Sequence, residues 1–179
     1  MSFLKRFLGI DAREAGPAPG SAETETVRKI VDALDRLEPQ RARYIAAFAY
    51  ILSRVAHSDL DISSDETRIM ERVVVERGGL PREQAMIVVQ MAKTQSLLFG
   101  GTENFLVTRE FNRIADKDQK LALLDCLYSI AAVDKSIVSA EDTEIRKISS
   151  ELGLSHGDFI SVKSRYRDHI EALKKPRDP

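Results

Sequence analysis

The sequence holds one cysteine, Cys126, and no tryptophan among its 179 residues. A lone cysteine excludes an intrachain disulfide framework and any zinc site built from several thiolates. Nowhere does an apolar run approach the roughly 20 residues that a membrane-spanning helix needs. Neither sign of charge dominates: 27 Lys and Arg stand against 28 Asp and Glu, for a net charge of -1. Without a basic field, nucleic acid is not an expected partner, and without an acidic excess the chain does not read as a disordered acidic one. No segment alternates cleanly between apolar and polar residues, so convincing strands are absent. Ser-His-Asp, Cys-His and glycine-rich phosphate-binding patterns are missing too.

What is present suits one packed domain: 43% of residues are hydrophobic and 31% charged. Residues 1–22 read as a short amphipathic segment and a linker, 23–174 as a helical domain, and 175–179 as a tail. In the first segment Phe3, Leu4, Phe7 and Leu8 share one helical face, with Lys5 and Arg6 opposite. It is too short and too interrupted for a signal-peptide core, and Asp11, Arg13 and Glu14 follow at once. The plain reading is a tail that packs on the domain or frays, since so short a helix is marginal alone in water. The sharper one is a helix that associates peripherally with a membrane or docks on a partner. Gly16 to Thr24 (GPAPGSAET) is a linker by composition.

Beyond the linker the apolar spacing is helical throughout. Val27, Ile30, Val31, Leu34 and Leu37 form a first stripe, ended by Pro39. Tyr44, Ile45, Phe48, Ile51, Leu52 and Val55 form a second. Ile69, Met70, Val73 and Val74 form a third, closed by Gly78-Gly79. Pro81 suits the first turn of a helix carrying Ala85, Met86, Val89 and Ala92. After a break at Gly100-Gly101 come Phe105, Leu106, Phe111 and Ile114. Asp116 with Gln119 reads as a capping box that opens a helix through Leu123, Leu124, Leu127 and Ile130. Ser139 opens another, closed by Gly153, and Ser155 with Asp158 opens the last, through Phe159, Tyr166, Ile170 and Leu173. The fold expected is all-α, with seven or eight helices.

The chain also repeats at a shift of 75 residues, near 44–79 and 119–154. Leu52, Val55, Ala56, Asp59, Ile62, Ser64, Glu66, Met70, Val73 and Gly78 align with Leu127, Ile130, Ala131, Asp134, Ile137, Ser139, Glu141, Ile145, Ile148 and Gly153. Packing explains the apolar matches and implies two helical hairpins about a pseudo-two-fold axis. It explains less well why Asp59 and Glu66 recur as Asp134 and Glu141 at the same seven-residue spacing. Each Glu falls in a helix's first turn, where negative charge is favoured; each Asp falls near a helix C-terminus, where it is not. Three readings stand. The acids cap helices and bond turn amides; or they hold a hard cation, Ca²⁺ or Mg²⁺, with backbone oxygens and water; or they dock a basic partner. A standard EF-hand is excluded, because Ser64 replaces its glycine and Met70 its last glutamate.

Other chemical-looking residues have plainer readings. Cys126 sits on an apolar helical stretch and reads as a small buried hydrophobe. His57 precedes the first acidic turn but its counterpart is Ala132; His156 belongs to a helix start, and His169 to a polar helix. Lys163, Arg165, Arg167, Lys174, Lys175 and Arg177 read as a solvated basic face and tail.

Tyr128 to Lys163 (YSIAAVDKSIVSAEDTEIRKISSELGLSHGDFISVK) resembles the TerB-like family, named for tellurite-resistance proteins. The fit runs through Asp134, Ile137, Glu141, Ile145, Arg146, Lys147, Ile148, His156, Phe159, Ile160 and Lys163, and in the first copy through Ala56, Asp59, Ile62 and Glu66. It covers residues 24 to 170. The glycine that follows the Asp in that family is Lys135 in one copy and Leu60 in the other. The resemblance implies an all-helical, internally duplicated domain whose acidic clusters bind divalent cations in some members; the chain is expected to be non-enzymatic, since no base, nucleophile or mixed His and carboxylate set accompanies the acids. It also implies a place in stress-response assemblies near the membrane, an unidentified protein partner and a cytoplasmic location. Asp59, Glu66, Asp134 and Glu141 are then the candidate ligands. The alternative is an interaction domain without metal, of co-chaperone type, working through an apolar groove between the repeats.

Overall fold

The computed structural model describes residues 22–56, 64–94, 104–133 and 136–170. The amphipathic segment 1–10, the start of the linker, the Gly100-Gly101 break and the tail lie outside them. Among the described residues there are eight α-helices: α1 Ala22–Asp35, α2 Pro39–Ser53, α3 Ser64–Glu76, α4 Arg82–Lys93, α5 Asn104–Ile114, α6 Lys117–Ala131, α7 Ser139–Glu151 and α8 His156–Lys163. A 3₁₀ turn, Ser164–His169, follows α8. No described helix is long and apolar enough to cross a membrane.

Two helices make the centre. In α2 every residue from Tyr44 to Ser53 is buried, and in α6 every residue from Leu123 to Tyr128. A helix apolar on all sides must be covered on all sides. Accordingly α2 packs against α1, α4, α5 and α6, and α6 packs against α2, α3, α7 and α8. The alanines of α2 (Ala42, Ala46, Ala47, Ala49) are all buried and let neighbours approach closely. The outer helices bury one stripe each: Met70 and Val74 from α3, Ile145 and Ile148 from α7. Tyr44 and Phe48 of α2 meet Phe111 of α5 at ring separations of 5.1 and 6.2 Å, which closes the α2–α5 seam.

Helix ends follow local chemistry. Pro39 does more than stop α1: it occupies the first turn of α2, where its missing N–H costs nothing. Asp116 and Gln119 form the expected reciprocal cap of α6, at 2.8 and 2.9 Å. At α8 the Asp158 N–H donates to Ser155 Oγ at 3.1 Å, and the Ser155 N–H donates to Asp158 Oδ2 at 3.1 Å. Helices α3 and α7 correspond residue for residue at the shift of 75, but their terminations differ. The left-handed glycine is Gly153 (φ 68°) after α7 and Gly79 (φ 67°), not Gly78, after α3. Gly78 is small for another reason: a Cβ there would stand 2.6 Å from the Val74 carbonyl oxygen.

The chain after α8 departs from the sequence expectation. The helical spacing carries α8 on through Tyr166 and Ile170, yet the α-helix stops at Lys163. Ser164 Oγ donates back to the Ser161 carbonyl at 3.0 Å, a local bond that competes with helix continuation. The tighter turn places the Tyr166 hydroxyl 2.9 Å from Asp125 and stacks its ring on Tyr128 at 5.4 Å. Ile137 N–H then donates to the His169 carbonyl at 2.7 Å, and Ile137 and Ile170 form a single parallel bridge. Leu173 lies outside the described residues. Met86 also departs from expectation: Ala85 and Val89 are buried, but Met86 is 46% exposed.

One ionic cluster links elements far apart in sequence. Arg54 caps the C-terminus of α2 with its side chain only 2% exposed. It donates to Glu144 and Glu151 of α7 at 2.6 Å each and to Thr108 of α5 at 2.8 Å. Burial alone would lower its pKa; the bonds to Glu151 and Glu144 outweigh burial and hold it raised. Removing one partner of such a cluster strands the others, at about 3–5 kcal/mol. Arg54→Ala is expected near the low end of that range, because Glu144 is 30% exposed. The urea midpoint should fall with an unchanged slope; a loss below about 1 kcal/mol would show that the cluster is dispensable.

A second expectation concerns acid. Asp158 is held below the usual carboxylate range, first by the Ser155 hydroxyl and then by Lys117, whose Nζ lies 3.0 Å away. A carboxylate with a depressed folded-state pKa stabilises the fold above the ordinary carboxylate range, and that contribution is lost as pH falls through and below it. Acid unfolding of Asp158→Asn should therefore be shallower on its low-pH limb than that of the unaltered chain.

Candidate acidic turns and an apolar groove

The two acidic turns begin alike. Helix α2 ends in 3₁₀-type bonds, Arg54 N–H to Ile51 O and Val55 N–H to Leu52 O, both 3.2 Å. Helix α6 runs three residues further at the shift of 75 before its own 3₁₀-type bond, Val133 N–H to Ile130 O at 3.0 Å. Asp59 and Asp134 come after these ends in the chain and lie outside the described residues, as does His57. Glu66 and Glu141 are described. Each is the third residue of its helix, half-buried, in the first turn of α3 and of α7.

The Glu141 carboxylate accepts the Val138 N–H at 3.0 Å. Valine at the N-cap has no side-chain acceptor, so Glu141 supplies the cap from inside the helix. Its neighbour Asp142 was not singled out by the sequence. It accepts the Tyr128 hydroxyl at 2.8 Å and Lys163 Nζ at 2.7 Å. Burial, and then Asp142, push the Tyr128 hydroxyl up. Lys163 is thus an internal tie and not part of a solvated basic face. At the position equivalent to Asp142, Thr67 of α3 accepts Lys93 Nζ at 2.9 Å. In both halves a lysine from the following helix reaches back to the first turn, a link that no local spacing announces.

Arg165, exposed as the sequence reading has it, also lies 3.4 Å from Asp125 of α6, and Arg77, just after α3, lies 3.5 Å from the same carboxylate. Tyr166 donates to it as well, and burial and Asp125 push that hydroxyl up to about 12. Cys126 is buried and burial pushes its thiol up, away from nucleophilic use. His156 opens α8 exposed, its ring 6.4 Å from Phe159. Among the described residues no group of three or more His, Cys, Asp or Glu is placed to hold a metal ion.

An apolar groove is present among the described residues. It runs between α1 and α4, both in the first half of the chain, and encloses about 600 Å³. Ile30, Ala33 and Leu37 form one wall and Met86 and Ile87 the other; Lys29, Arg36, Glu83, Gln84 and Gln90 surround them.

The fold and the turns define an all-helical module with an acid in the first turn of two corresponding helices. The chain matches the family described as tellurite resistance protein TerB over residues 45–164, more than half of its length, and it belongs to that family. No curated protein and no solved structure matches the chain.

Glutamine can cap but cannot carry charge, which separates two roles of Glu141. Glu141→Ala should cost about 1 kcal/mol, whereas Glu141→Gln should leave stability within about 0.5 kcal/mol. Chemical denaturation of the two variants measures this, and equal losses would mean that the charge itself matters to the fold.

Proposed function

We propose that this TerB-family chain is a non-enzymatic, cytoplasmic binding module of the stress-response and tellurite-resistance kind. Its acidic turns, through Asp59, Glu66, Asp134 and Glu141, take a divalent cation, Ca²⁺ or Mg²⁺, or a basic partner. One observation carries this reading: Glu66 and Glu141 hold the same place, half-buried in the first turn of corresponding helices. A helix N-terminus favours a carboxylate, and a carboxylate fixed there meets a cation without first being ordered.

The Glu141 bond to Val138 favours a second reading, in which the acids are caps and the module is a metal-free protein-interaction domain of co-chaperone type. Thermal unfolding of the whole chain in EDTA, Ca²⁺, Mg²⁺, Zn²⁺ and Mn²⁺ separates the two. Binding to the native state adds about 2.7 kcal/mol at a hundredfold excess over Kd. The cation reading expects a higher Tm with Ca²⁺ or Mg²⁺ that Asp134→Asn abolishes. No shift with any ion sinks it and leaves the interaction domain.

A further inference from the structure

We propose that the groove between α1 and α4 is the seat of the chain's own segment Phe3–Leu8. The inference is independent of the acidic turns. The groove has apolar walls, Ile30 and Leu37 on one side and Met86 on the other, with room for large side chains. Met86 stands 46% exposed beside residues that are fully buried, so the groove presents an uncovered apolar wall. The segment offers what such a groove takes: Phe3, Leu4, Phe7 and Leu8 on one face and Lys5 and Arg6 on the other. Two phenylalanines alone carry about 150–250 Å² each to bury.

The tether fits. Thirteen residues, Gly9 to Ser21, separate the segment from the start of α1. A flexible chain of that length spans about 20 Å. Helix α1 has 14 residues and is about 21 Å long. A segment leaving the N-terminus of α1 and doubling back over it therefore arrives at the groove. Charge agrees in sign. Arg36 stands on the α1 side of the groove, suited to Asp11 and Glu14 of the returning tether, while Lys29 beside it pairs with Glu25 at 2.8 Å. A helix this short gains order from a surface, not from its own propensity. A tether this short presents it at roughly millimolar effective concentration, which a second copy or a soluble partner would have to exceed.

Amide hydrogen exchange on the full chain tests this, with Met86→Glu as the comparison. Met86 is exposed, so its replacement should leave exchange in α2 and α6 unchanged. Amides 3–8 should exchange roughly tenfold more slowly in the unaltered chain than in Met86→Glu. Equal exchange in the two proteins overturns the proposal. So does protection that grows with protein concentration, which would mean a second copy, or protection that appears only with phosphatidylglycerol vesicles, which would mean a membrane surface. Paired cysteines give a separate readout, since Cys126 is buried. Under mild oxidation Leu8→Cys with Met86→Cys should close within a monomer, faster than Leu8→Cys with Ile160→Cys on α8. Equal rates, or only dimeric product, overturn it.

Discussion

The fold depends on how a charge was placed in its interior. Helix α2 is buried on every side for ten residues, and such a helix has no polar face to fix its rotation or its height among its neighbours. Arg54 supplies both. It ends α2, where a cation complements the macrodipole and the last carbonyls. From there its guanidinium reaches Glu144 and Glu151, 90 and 97 residues away in sequence. A planar fork bound by two carboxylates and a hydroxyl tolerates little sliding. Apolar packing supplies most of the stabilisation of the interior. The guanidinium supplies register between the two halves, at a desolvation cost that only complete pairing offsets.

That cluster also shows where the halves of the chain part company. At the shift of 75, Arg54 corresponds to Ser129, Glu144 to Ile69 and Asp142 to Thr67. Apolar positions match, and so do Glu66 with Glu141 and Glu76 with Glu151, but Arg54, Asp142 and Glu144 have no charged counterpart. Helix α7 therefore turns its acids to separate structural tasks: Glu141 to its own N-terminus, Asp142 to Tyr128 and Lys163, Glu144 and Glu151 to Arg54. Helix α3 has no counterpart of the buried arginine, and Ile69 faces outward on it. Correspondence between the helices is a property of packing, and the polar network is laid across it.

Legibility in the sequence follows the same division. The apolar stripes located the helices, and the caps Asp116–Gln119 and Ser155–Asp158 stood out because both partners lie within one turn. The all-round burial of α2 and α6 is not marked in the spacing, which reads as a single stripe in each. What escaped was nonlocal or opposed to periodicity. Nothing in a window of sequence joins Arg54 to Glu151 or Lys163 to Asp142. The period that runs through Tyr166 and Ile170 gave no sign of the 3₁₀ turn, because a serine bonding backward, not a loss of apolar spacing, ends α8. Met86 kept the helical period and still faces out, since only α1 stands across from it. Of the candidate acids, Glu66 and Glu141 lie where the spacing put them. Asp59 and Asp134 lie outside the described residues.

Capping and ion binding ask different things of Glu141. A carboxylate that accepts the Val138 N–H has its rotamer and direction fixed by the backbone. Ordering a long acidic side chain otherwise costs entropy at the moment an ion arrives. A glutamate already held by its own helix has met that cost on folding. The hydrogen bond seen at α7 accounts for the helix start and leaves the ligand chemistry of the turn to the charge of the side chain, a separate property. A neutral amide in the same place keeps the helix start and loses the anion, so the cap and the ligand separate as two properties of one side chain.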